Sequence, residues 1–254
     1  MPRQVVVAAL LAALATPLMP AFGAWPVGLL GLPFLVAVAV VGVRRDVPEL
    51  VDAAAVVGLM DVIALVPVVG VWPLAPSLGL LGVGAALARR GRLARWRDWL
   101  RLGRVDRLSI LMVLGVQVVS VVALLAWTTV FDGSLPELYA DAAREAGPVA
   151  ATAGGVGFLV LNGLVEDSLF FGVLLSALHR VLPGWAAVGV AAATFGFAHL
   201  HGVPNGVVGV VMAGGWALLL AALRLRTGGM LATYAAHIVA DTTIVLMLLP
   251  AVFR

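Results

Sequence analysis

Nine apolar runs, at roughly 4–22, 25–43, 50–72, 74–88, 108–130, 149–178, 184–200, 206–223 and 228–250, fill most of this 254-residue chain. About 20 apolar residues are what an α-helix needs to cross the hydrocarbon of a bilayer, and a chain made of such runs has few other ways to fold. Composition points the same way, with 63% of residues hydrophobic and 11% charged, where soluble domains sit nearer half and a quarter. A water-soluble globule would lack the polar surface to cover so much apolar material. The expected fold is an all-α polytopic transmembrane helix bundle of about eight or nine spans. The first run follows Met1, Pro2 and Arg3 without a convincing small-residue cleavage site, so it reads as a retained helix.

Arginine sets the expected orientation. All 16 basic residues are arginine, and basic loops stay on the cytoplasmic side. With the N-terminus inside, Arg3, Arg44, Arg45, the eight arginines from Arg89 to Arg107, Arg180, Arg224 and Arg226 fall inside; only Arg144 and Arg254 fall outside. The stretch FDGSLPELYADAAREAGP carries Asp132, Glu137, Asp141 and Glu145 and reads as an outer loop. The chain is expected in a bacterial cytoplasmic membrane. Its net charge of +3 follows from this topology, so the partners expected are lipid and not nucleic acid. The basic segment 88–107, with Arg92, Trp96 and Trp99, reads as an ordinary cytoplasmic loop or as a helix lying on anionic headgroups.

Cysteine and lysine are absent, which excludes disulfides, thiolate metal sites, cysteine nucleophiles and Schiff-base chemistry. An ionisable group at bilayer depth needs a bundle interior or a wet cavity. The first half offers Asp61, a lone acid that would suit a proton or ion site. The second half offers Glu166, Asp167, His199, His237 and Asp241 on three spans, near the midplane by helical rise. His237 and Asp241 are four apart and share a helix face. Glu166 and Asp167 diverge by about 100°, so one carboxylate can enter a site while the other supports it. Carboxylates and imidazoles at one depth suit activation of water, with donors opposite to hold an oxyanion. Ser168 and Thr194 lie close by but belong to no nucleophile elbow.

These residues also carry a resemblance. VEDSLFFG at 165–172, FGFAH at 195–199 and HIVAD at 237–241 resemble the E-E-x-x-x-R, F-x-x-x-H and H-x-x-x-N/D motifs of the CPBP intramembrane proteases, the group that includes the CAAX prenyl proteases. The order is the same, and HLHGVPNG and LRLRTGGMLATYAAHIVADT between the motifs look similar too. The likeness covers about 149–250, which divides the chain into N-terminal helices 1–148 and a catalytic core 149–254. It implies an endopeptidase acting on a membrane-bound or lipidated protein or peptide, with no cofactor. Glu166 matches the general base that activates water with His199, while His237 and Asp241 match the oxyanion-hole positions. Phe195 matches the aromatic opening the second motif, and Asp167 stands for the second glutamate. The departure is Phe171, in the arginine position, which leaves Asp167 to be neutral, bridged by water or paired elsewhere.

Three alternatives remain at this level. Zinc on Glu166, His199 and His237 would leave an open position, although no H-E-x-x-H spacing is present. A relative without turnover, serving as a membrane scaffold or immunity-type protein, would fit Phe171. A proton-coupled transporter would use the same acids and histidines but lacks two matching halves. The glycines at 154, 155, 157, 202, 206 and 209 read as points of close helix packing.

Overall fold

The structure is a computed structural model that describes residues 2–18, 27–131, 133, 135 and 137–253. The junction of the first two apolar runs, Asp132 and Arg254 lie outside the described residues. The helices are α1 (Arg3–Ala15), α2 (Gly31–Arg44), α3 (Pro48–Ala64), α4 (Leu74–Arg89), α5 (Arg97–Leu100), α6 (Arg107–Val130) and α7 (Glu137–Glu166). A π-helical segment, Asp167–Leu174, continues α7 into α8 (Leu175–Val181), followed by α9 (Gly184–Ala198), α10 (Gly206–Thr227) and α11 (Leu231–Leu248).

Four stretches among the described residues are long and apolar enough to cross a bilayer: Arg107–Val130, Tyr139–Val181, Gly206–Thr227 and Leu231–Phe253. Arg3–Leu18, Gly31–Arg44 and Leu74–Arg89 are shorter apolar helices. The chain is thus an all-helical, multi-pass integral membrane protein, with fewer full-length spans than its nine apolar runs predict. The third run shows the cause. It breaks after Ala64, where Pro67 cannot donate into a helix and Val68 sits at φ 73°.

The expected outer loop also differs from its reading. Residues 137–146 are helical, with an Asp141–Arg144 ion pair at 2.5 Å one turn apart. At Gly147 the backbone turns to φ 76°, and Pro148 starts a second arm. Glycine reaches that φ without a Cβ penalty, and proline is pre-set for a first helical turn. Tyr139 and Phe158 would stand about 28 Å apart on a straight helix. Their rings are 6.5 Å apart, so the first arm folds back along the second.

Helices α1 to α4 pack one on the next, α9 lies along α10, and α11 lies between α6 and α7. The π-helical segment is the hub, touching α3, α4, α5, α9, α10 and α11 as well as its own neighbours. A helix enclosed on all sides must be apolar all round. Leu169, Phe170, Phe171, Val173 and Leu174 are accordingly all buried. In lipid, such association rests on close packing and inter-helix hydrogen bonds more than on hydrophobic burial.

The basic segment departs from the headgroup-helix reading. Trp96 and Trp99 face the bundle, 6% and 4% exposed, with their rings 5.1 Å apart. The buried Asp52 of α3 draws Trp96 in, because a buried carboxylate needs donors. The Trp96 indole N–H donates to Asp52 Oδ2 at 3.2 Å and Arg95 Nη2 to Oδ1 at 2.9 Å. Trp99 lies so close to the π-helical segment that a Cβ on Gly172 would stand 2.8 Å from its ring.

The same segment is stitched to the turn between α10 and α11. The Arg104 amide donates to the Thr227 carbonyl at 2.9 Å, and Met230 and Leu231 donate back to Arg101 and Leu102 at 2.9 and 3.1 Å. Arg224 reaches the Asp98 carbonyl at 3.0 Å, and Arg226 pairs with Asp106 at 2.8 Å. The Ser109 amide, donated to the Asp106 carboxylate, holds that acid below the usual carboxylate range. Gly229 meets Gly103 so tightly that any Cβ on it would collide with backbone. Gly229→Val is therefore expected to lower stability by about 1 to 2 kcal/mol and to expose 101–107 to limited proteolysis. Thermal unfolding in detergent and mapping of the nick check this.

Candidate active site

One imidazole organises the polar centre. His237 lies on α11, 2% exposed, facing the point where α7 passes into the π-helical segment. Its Nδ1 stands 2.7 Å from Asp167 Oδ1. Its Nε2 stands 3.3 Å from Glu166 Oε2 and 3.7 Å from Asp241 Oδ1. Consecutive helical residues diverge by about 100°, and the ring sits inside that angle, so Glu166 and Asp167 take opposite nitrogens. The ring is clasped by both carboxylates, Glu166 at Nε2 and Asp167 at Nδ1. Gly163 permits the approach, since a Cβ there would already be 3.4 Å from His237 Cγ.

This arrangement constrains the protons. With Nδ1–H donated to Asp167, a neutral His237 presents a bare lone pair at Nε2. Two carboxylate oxygens face that lone pair. At least one proton must therefore lie among Nε2, Glu166 and Asp241, because three acceptors with no hydrogen between them would repel.

A second row of groups holds Asp241 from behind. The Asn162 side-chain amide, one turn before Glu166 on α7, donates to Asp241 Oδ2 at 3.0 Å. Its carbonyl oxygen accepts from the Trp72 indole N–H at 2.6 Å. Neither Asn162 nor Trp72 is ionisable, so neither stands out by charge, yet a lone amide four residues before Glu166 on an apolar helix is a visible signal.

Aromatic rings wall the cluster. Trp216 meets His237 edge to face at 4.8 Å, and Phe195 lies 6.3 Å from His237. Phe171 is fully buried and stacks on Phe195 at 5.6 Å and 25°, while Phe170 meets Phe195 edge-on at 5.0 Å. The position of the motif arginine is thus apolar. The partner that an arginine would give Asp167 is supplied by His237. Neither Arg180 nor Arg224 substitutes, since Arg180 pairs with Glu49 at 3.6 Å and Arg224 bonds the Asp98 carbonyl.

His199 stands apart from the carboxylates. It ends α9, half-buried, with Nδ1 3.0 Å from the Phe195 carbonyl and its ring 4.5 Å from the Phe195 ring. Among the described residues no carboxylate lies within ion-pair distance of it. His201 is exposed in the following turn. The three residues considered for zinc do not converge, and among the described residues no group of three or more His, Asp or Glu is arranged to hold a metal ion. Asp61 is fully buried with neither oxygen hydrogen-bonded among the described residues, but it is outside this cluster. Of the glycines read as packing points, Gly155, Gly202 and Gly209 meet neighbouring atoms; Gly154, Gly157 and Gly206 face open space.

Residues 148–243 match the family model described as Type II CAAX prenyl endopeptidase Rce1-like. The matched stretch runs from the second arm of α7 into α11 and holds the three motifs. No curated protein and no solved structure matches the chain.

Proposed function

We propose that this chain is an intramembrane endopeptidase that hydrolyses a peptide bond of a membrane-bound or lipidated protein, using Glu166 to activate water. The observation that carries the reading is His237, clasped by Glu166 on one nitrogen and Asp167 on the other inside the family-matched helices. A histidine held by a carboxylate at Nδ1 and facing the reaction at Nε2 is the orienting logic of hydrolytic triads.

In this reading Glu166 takes a proton from water as the water oxygen attacks the scissile carbonyl carbon. The proton then passes to the departing amine nitrogen as the C–N bond breaks. The oxyanion that forms between these events is held by the hydrogen of a protonated Asp241 and by His237 when its Nε2 also carries a proton. Glu166 Oε2 is buried and faces His237 Nε2 at 3.3 Å, so the carboxylate that would take the proton already stands beside the imidazole. His199, one ring away behind Phe195, does not share the proton. Residues 1–148 would frame the catalytic core 149–254, with the N-terminus and the basic segment on the cytoplasmic side. The substrate would be peptide; a prenylated C-terminus fits the family description.

A second reading, a membrane scaffold or immunity-type relative without turnover, is favoured by Phe171 alone. Purified protein in liposomes with a library of membrane-anchored peptides separates the two. Cleavage is expected, and Ser168→Ala and Thr194→Ala are expected to keep the wild-type rate within about twofold, since neither group is a nucleophile here. No cleavage of any peptide supports the scaffold; loss of cleavage in Ser168→Ala or Thr194→Ala replaces water attack by a covalent route.

A further inference from the structure

Trp72 lies between α3 and α4, well outside the family-matched residues, yet it is wired into the site. An indole N–H can only donate. By donating to Asn162 Oδ1 at 2.6 Å it settles which way that amide points, an assignment otherwise ambiguous for asparagine. The Asn162 NH₂ must then face Asp241, and it donates to Oδ2 at 3.0 Å. A hydrogen on Oδ2 would collide with the one arriving from Asn162. Any proton on Asp241 therefore sits on Oδ1, the oxygen directed toward His237 Nε2. Asn162 and Asp241 are each 6% exposed, so water does not readily scramble this order.

We propose that Trp72 and Asn162 are positioning residues that fix the direction of Asp241, so that its one proton sits on Oδ1, on the His237 side of the carboxyl, where the oxyanion of the substrate would be received. The role rests on the hydrolytic reading above. An asparagine at 241 would offer an amide hydrogen unaided, whereas an aspartic acid has one hydrogen and two oxygens to put it on. The Trp72–Asn162 chain removes that choice. It also gives the N-terminal helices a chemical part in a site otherwise built from 148–243.

The test uses the full-length protein in liposomes and two readouts. Trp72→Phe keeps a ring of similar bulk and removes the donor. It is expected to lower kcat about tenfold, the scale of one buried hydrogen bond, with KM unchanged. Independently of turnover, the infrared carboxyl band that disappears in Asp241→Asn is expected to shift in Trp72→Phe and again in Asn162→Leu. A shifted band with a lower kcat supports the proposal. A shifted band in a protein that cleaves nothing leaves the hydrogen-bonded chain standing and removes the proteolytic reading. An unmoved band in both variants, or a change in KM alone, overturns the proposal even where the wild type cleaves.

Discussion

Glu166→Gln is expected to lower kcat by about 10² to 10⁴ with little change in stability, whereas His237→Ala should lose activity to the same extent and also destabilise the fold by about 3 to 5 kcal/mol. Glutamine keeps the shape of Glu166 beside His237 but cannot accept a proton from water, so only the chemical step suffers. His237 is different because three buried carboxylates converge on its ring. Removing the ring leaves Asp167 Oδ1 without its 2.7 Å partner in a site 1% exposed. An unpaired buried charge is far costlier than a missing pair. Adding Asp167→Asn to His237→Ala should accordingly recover stability but not cleavage. Denaturant unfolding in detergent, run beside peptide cleavage, separates the effects. If His237→Ala unfolds like wild type, the clasped-ring geometry is wrong; if Glu166→Gln cleaves normally, the general base lies elsewhere.

The contrast between these variants shows what the sequence could and could not convey. Apolar runs marked the helices because bilayer thickness demands length and lipid demands apolar faces. Glu166, Asp167, His237 and Asp241 stood out because ionisable groups are costly there. Their arrangement was not legible in the same way. The shift into π-helix at Asp167 leaves no periodic signature in a segment apolar on every side. His199 and His237 look equivalent in sequence, and only tertiary packing puts one against three carboxylates and the other against the Phe195 backbone. Trp96 and Trp99, flanked by arginines, carry the pattern of a headgroup-facing helix. Asp52, 44 residues before Trp96, is what turns that indole inward. Long-range polar partners of this kind, Trp72 with Asn162 among them, are set by the fold and not by local pattern.

Phe171→Arg, which restores the arginine of the family motif, is expected to destabilise the protein by about 2 to 3 kcal/mol and to leave cleavage no faster. Opposing effects decide this. Phe171 is fully buried and stacked on Phe195, and truncating such a ring costs about 3 to 5 kcal/mol. A guanidinium also has to leave water to occupy the space. The compensation is a charge-assisted hydrogen bond to Asp167, about 1.5 to 3 kcal/mol. Only Oδ2 of that carboxylate is without a partner among the described residues, because Oδ1 belongs to His237. The loss exceeds the gain. The stacked pair also backs the wall toward His237, so a displaced Phe195 would loosen the imidazole as well. Unfolding midpoint and cleavage rate are measured on the same preparation. A Phe171→Arg protein that is more stable and cleaves faster would mean that the missing arginine limits this chain, and that His237 has not taken over its pairing with Asp167.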